Sequence, residues 1–151
     1  MSADTMETFK VQAQGNGMPT KVDVLGTKWH LQIDEPVEDG GSNSGPNPMH
    51  YFTTALAGCQ NEQVHTVAGE LSLSIPQVDF SIEVDLDLSG FMGIADSSAG
   101  SYQEVRLNAV VHGELSQDQV TELGKKVDAR CPILSLLRSS GCKIVSDWNK
   151  K

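Results

Sequence analysis

The chain has 151 residues, 38% apolar and only 5% aromatic, with a formal charge of −9 and a pI near 4.7. That length can bury a core as one domain. An acidic surface repels phosphate backbones and anionic lipid, which argues against nucleic acid and membrane surfaces as partners, and no apolar run approaches the ~20 residues that span a bilayer. Residues 1–8 are polar and read as a loose segment ahead of a single domain over 9–151. Three short strands follow, at 9–13, 21–25 and 28–33, separated by the hairpin signal Asn16-Gly17 and a turn at Gly26. Residues 34–46 are rich in Asp, Glu, Gly, Ser and Pro. They read as a loop, long enough for a compact domain that a role in lining a site is expected.

Asn47-Pro48 opens a helix: Asn accepts a backbone N–H as the cap, and proline has no N–H to leave unpaired. Phe52, Ala55, Leu56, Cys59 and Val67 recur at helical spacing, so the helix is expected to run to about residue 69 and to be central to the domain, with Cys59 on its apolar face. Residues 78–88 alternate, with Val78, Phe80, Ile82, Val84, Leu86 and Leu88 on one side. A Gly/Ser/Ala-rich loop over 89–101 leads to a partner strand over 102–112, with Val105, Leu107, Ala109 and Val111 on one face. Ser116 and Gln119 form a capping box for a helix to about 129. Cys131-Pro132 starts a second, short helix ending near 141, and residues 143–148 make a last strand. The order β-β-β-α-β-β-α-α-β, with hairpins expected at both ends, is α+β rather than doubly wound.

The chemistry rests on the cysteines. Cys59 lies within an apolar helix and Cys131 just before a proline. Neither zinc spacing nor a CxxC motif is present, and His30, His50, His65 and His112 lack ligand spacing, so no metal is expected. The two contexts suggest thiols brought together by folding, one attacking and one resolving, in a thiol enzyme that reduces a small oxidised substrate. The plainer alternative is that Cys59 is a small buried hydrophobe and Cys131 a packing cap. Cys131 has the better place for a thiolate: helix-start N–H groups and the positive end of the dipole lie near, and Arg130 is adjacent. Cys142 reads as a packing residue at a strand start. Met49, Tyr51, Phe52 and the apolar run over 133–137 would form an apolar pocket, with Met49, Phe52, Ile133 and Leu134 as substrate-binding candidates. The N-terminus shows no basic start and no apolar stretch, so no export signal is read and a reducing cytoplasm is expected.

Gly45-Pro46-Asn47-Pro48 leading to Ala55-Leu56-Ala57-Gly58-Cys59, with a Gly40-Gly41 loop before it and Cys131-Pro132 before Lys143-Ile144, resembles the OsmC/Ohr family. The resemblance covers about residues 9–149. It implies an OsmC-like α+β fold, with antiparallel sheets wrapped around a central helix. It implies an intertwined homodimer whose two cysteines meet at the subunit interface. It also implies reduction of organic hydroperoxides, in oxidative or osmotic stress defence, through a Cys59–Cys131 disulfide. No bound cofactor is implied; an external dithiol reductant such as a lipoylated protein reopens the disulfide.

One departure matters. The peroxidase branches carry a Glu just after the Asn-Pro and an Arg on an N-terminal strand. Here Met49 and His50 follow Pro48, and no Arg precedes Arg106. Lys21, Lys28 or His50 remain as candidate cations. Without the Arg, the Cys59 thiol is expected near its free value of ~8.5. A second reading therefore stands beside the peroxidase: an OsmC-like thiol protein without efficient peroxidase activity, binding an apolar ligand or handling another sulfur or acyl substrate.

Overall fold

A computed structural model describes residues 5–94 and 101–151, in two compact units, residues 1–52 and 53–151. The first four residues of the expected loose segment, and positions 95–100 of the expected 89–101 loop, lie outside the described residues. Residues 5–8 are exposed and without regular structure.

The first unit holds an antiparallel meander of β1 (Val11–Gly15), β2 (Thr20–Val24) and β3 (His30–Ile33). The strands begin within two residues of where the pattern puts them. The first turn uses Gly17 at φ 76°, a conformation that glycine adopts without strain. Val11 pairs with Val24, and Ala13 with Val22, which also faces Leu31. The sheet therefore has one apolar face. Of that face only Val22 is buried; Val11 is 62% exposed.

The expected loop after β3 contains one 3-10 turn, Val37–Asp39, and folds around the buried Asp34. One Asp34 oxygen accepts the Glu35 N–H at 2.9 Å. The other accepts from the N–H and hydroxyl of both Ser42 (3.0 and 2.6 Å) and Ser44 (2.9 and 2.7 Å). These donors, led by the Ser42 hydroxyl, hold the Asp34 carboxyl well below the usual range. A shallow cleft of about 420 Å³ lies beside this loop, lined by Asp34, Ser44, Pro46 and His50 among others. At Gly45 any Cβ would run into the Gln32 carbonyl, so the return of the chain past β3 requires glycine.

The long helix α1 (Pro48–Glu70) starts as expected: Asn47 Oδ1 accepts the His50 N–H at 2.9 Å. Its buried stripe differs from the expected one. Leu56, Gln60, Val64, Val67 and Ala68 are buried, Ala55 is exposed, and Cys59 sits half-buried at the margin. The stripe turns because burial follows the core residues of the second unit, not the count of small apolar residues along the helix.

In the second unit β4 (Gln77–Asp87) and β5 (Ser101–His112) pair antiparallel, with Phe80 opposite Ala109 and Ile82 opposite Leu107. The alternation in both strands is as expected, except that Leu88 falls past the end of β4 and is exposed. Helix α2 (Gln117–Arg130) begins on the Ser116/Gln119 capping box, with both reciprocal bonds formed. Helix α3 (Pro132–Ser139) and β6 (Lys143–Lys150) complete the unit. No hairpin closes this end. β6 pairs parallel to β5, Val105 beside Ile144 and Ala109 beside Trp148, so the second sheet is mixed. The two helices between β5 and β6 carry the chain back to the end where β5 began, and only a parallel pairing is then available. Val64, Val67, Leu107, Ala109, Val111, Val120, Leu123 and Val127 make one core with Trp148. Phe80 meets the Trp148 ring edge-to-face at 5.9 Å. Gly124 lies flat against the same ring, where a Cβ would overlap it.

Candidate active site

Cys131 belongs to two helices. Its N–H closes α2 on the Val127 carbonyl at 3.1 Å, and its carbonyl accepts the Ser135 N–H of α3 at 3.0 Å. The following proline disfavours helical backbone at Cys131, which is extended at φ −67°, ψ 114°, so α2 must stop there. The same proline, with its fixed φ, starts α3. Cys131 thus becomes the N-cap of α3, with its sulfur accepting the Leu134 N–H at 3.5 Å, and it is wholly buried.

Its sulfur lies 3.1 Å from that of Cys59, across from α1, and both are free thiols. A disulfide bond is about 2.05 Å long, so closing this pair needs an approach of about 1 Å. Cys59, half-buried, is the one with exposed surface. The Ile133 N–H favours the Cys59 thiolate.

The surroundings of Cys59 disfavour its thiolate. Desolvation pushes it up to about 11, and the neighbouring Cys131 and the charge of Glu62 push the same way; only the Ile133 N–H opposes them. The sequence put it near the free-thiol value; it lies higher because burial and a second sulfur add to the missing cation. Arg130 does not turn toward Cys131 either. Its guanidinium makes a two-pronged pair with Glu70, at 2.7 and 2.8 Å, tying the last residue of α2 to the last of α1. Arg138 donates to the Asp128 carbonyl at 2.9 Å. Of the other candidate cations, Lys28 lies over the Trp29 ring at 5.2 Å, and Lys21 and His50 are exposed.

The apolar candidates separate. Ile133 is half-buried beside Cys59, whereas the Leu134 side chain is wholly buried and reaches the site through its N–H. Met49 is 41% exposed and Phe52 half-buried, both in the opening turns of α1. Cys142 is buried just before β6, and burial raises its thiol as well, in keeping with a packing role. Among the described residues, no group of three or more His, Cys, Asp and Glu side chains could hold a metal ion, and no helix is long and apolar enough to cross a membrane.

Two features carry no motif and were not read from the sequence. Glu62 stands one turn past Cys59; its spacing was visible, but nothing marked it as acting on the thiol. The second is a polar pair, Gln60 directly after Cys59 and Asp128 three residues before Cys131. Gln60 is completely buried, with neither amide atom in a hydrogen bond, and Asp128 Oδ1 is likewise unpaired. Burial raises the Asp128 carboxyl; Ser146 and Trp148 pull it down, and Arg138 and the nearby Gln60 help.

Comparison with known proteins now places the chain. Residues 41–146 match the model of the OsmC-like protein family. With the α+β fold and the paired thiols already in view, the chain belongs to that family. Solved structures agree in fold. An organic hydroperoxide resistance protein OsmC from Legionella pneumophila, described as a predicted redox protein, is 23% identical with a TM-score of 0.76, over 95% of this chain and 98% of that one. An organic hydroperoxide resistance protein from Elizabethkingia anophelis, with thiocyanate bound, is 17% identical with a TM-score of 0.78, over 99% and 100%. OhrB of Bacillus subtilis is 20% identical with a TM-score of 0.67, over 96% and 98%. No curated protein matches the chain in sequence.

Proposed function

We propose that this protein reduces organic hydroperoxides with the Cys59–Cys131 pair, as part of a peroxide-stress defence in a reducing cytoplasm. The observation that carries the reading is the 3.1 Å contact between two free thiols drawn from distant parts of the chain. The names of the similar structures, which are hydroperoxide resistance proteins, point the same way. Cys59, the sulfur with exposed surface, attacks the outer peroxide oxygen as its thiolate; the O–O bond breaks, an alcohol leaves and a sulfenic acid remains. The Cys131 sulfur then attacks the Cys59 sulfur, forming the disulfide and releasing water. Two thiols and one hydroperoxide give one disulfide, one alcohol and one water. An external dithiol, such as a lipoylated protein, restores the thiols by exchange. No bound cofactor enters.

The active form in this reading is a homodimer. Exposed apolar side chains on the first sheet support it, Val11 at 62% and Leu31 at 38%. The substrate is apolar, met by Ile133 at the start of α3.

The raised Cys59 thiol favours a second reading: a member of the family without efficient peroxidase activity, which binds an apolar ligand or handles another sulfur or acyl substrate. One experiment separates them. Turnover of cumene and tert-butyl hydroperoxide with a dithiol reductant is compared with that of hydrogen peroxide. The peroxidase reading expects turnover of the organic peroxides, preferred over hydrogen peroxide and lost in Cys59→Ser. Absence of turnover at pH 9, where more thiolate is present, leaves the second reading.

A further inference from the structure

We propose that Glu62 makes the Cys59 thiol selective for uncharged electrophiles over anionic ones, so that neutral hydroperoxides are preferred to those carrying a carboxylate. The substrate part rests on the hydroperoxide reading above; the charge selectivity does not.

Glu62 follows Cys59 by three positions on α1. Residues so spaced stand on one helix face, about 5–6 Å apart at Cβ. Glu62 is exposed, and among the described residues no ion pair involves its carboxylate. An anion approaching the exposed surface of Cys59 therefore meets a like charge one helical turn away that is held in no ion pair among the described residues. The arginines nearest in sequence to the thiol pair are occupied, Arg130 by Glu70 and Arg138 by the Asp128 carbonyl. The chain as a whole is also acidic, at −9. Ile133, two residues after Cys131, is apolar and half-buried, and its N–H favours the Cys59 thiolate without adding a net charge. The site thus welcomes a neutral, apolar molecule and resists a carboxylate. For two unit charges about 6 Å apart in water, the repulsion corresponds to about threefold in rate, and more where apolar surface lowers the dielectric.

Alkylation of Cys59 tests this without any need for peroxidase turnover. Iodoacetamide is neutral and iodoacetate anionic, and both attack the same thiolate. Rates at Cys59 are read by peptide mass spectrometry in the full chain and in Glu62→Gln, a surface change that removes the charge and keeps the shape. The expected result at low salt is that Glu62→Gln accelerates iodoacetate about threefold more than it accelerates iodoacetamide. That difference should fade by about 0.5 M salt, as screening predicts. Equal factors for both reagents mean that Glu62 acts on the thiol alone, and overturn the proposal, as does no change in either. The second arm compares linoleic acid hydroperoxide with its methyl ester under dithiothreitol. Glu62→Gln should raise kcat/KM for the acid relative to the ester. If the alkylation difference holds and neither peroxide is reduced, the charge selectivity stands and the hydroperoxide reading falls.

Discussion

The reactivity of Cys59 should climb steeply with pH, far past the range in which an ordinary thiol has levelled off. With the thiol pushed up to about 11 by burial, by Cys131 and by Glu62, about one molecule in a thousand carries the thiolate at pH 8. A free thiol near ~8.5 is about one quarter ionised there. Cys59 is therefore expected to react with iodoacetamide some two-hundredfold more slowly than a free cysteine at that pH. Its rate should rise about tenfold per pH unit from 7 to 10 without a plateau. Cys131→Ser tests the cause. It removes the sulfur that stands second only to burial in raising Cys59 and leaves the Ile133 N–H in place, so the inflection should move to lower pH. The assay is timed alkylation with peptide mapping of Cys59 from pH 6.5 to 10.5, with circular dichroism reporting that the fold survives at each end. A plateau below pH 9 in the unsubstituted protein would refute the reasoning, and would mean that a cation or donor stabilises the thiolate in the assembled protein. An inflection unmoved in Cys131→Ser would refute the role given to the second sulfur.

In the Cys131→Ser form, one equivalent of cumene hydroperoxide should leave a sulfenic or sulfinic adduct on Cys59 by mass spectrometry, while Cys142→Ser should turn over normally; an adduct on Cys131 in Cys59→Ser instead would reverse the order of attack. Gly124→Ala should cost about 1–3 kcal/mol, because the added Cβ meets the Trp148 ring and the core around it cannot give; thermal unfolding followed by circular dichroism should show a clear drop in Tm. Asp128→Asn should stabilise the protein at neutral pH. A carboxyl raised in the fold penalises folding once the pH passes its unfolded value of 3.8, so the gain should vanish in acid and be seen only above that pH. Asp34 has the opposite sign. Its lowered carboxyl contributes stability above pH 3.8 that is lost as the pH falls further, and Asp34→Ala should speed amide exchange at Ser42 and Ser44 at pH 7.

Much of this molecule is written locally. The Asn47-Pro48 start, the Ser116/Gln119 box and the alternation of β4 and β5 need only neighbouring residues, and all three formed, Leu88 at the end of β4 apart. Cys131-Pro132 likewise announced a helix boundary, because a proline constrains the residue before it wherever it stands. The family motifs pointed to the same pair of cysteines. Other features were decided only when distant segments met. The parallel pairing of β6 depends on where two helices deliver the chain, which no strand pattern records. The buried stripe of α1 includes Gln60 and leaves Ala55 outside, because burial is set by what packs against the helix rather than by hydrophobicity along it. Arg130, adjacent to Cys131 in sequence, spends its charge on Glu70 sixty residues away. The state of Cys59 follows from the same cause. A thiol's ionisation is the sum of desolvation and every charge and donor within a few ångströms, and those neighbours — Cys131, Ile133 and Glu62 — are brought to it partly by its own helix and mostly by the fold.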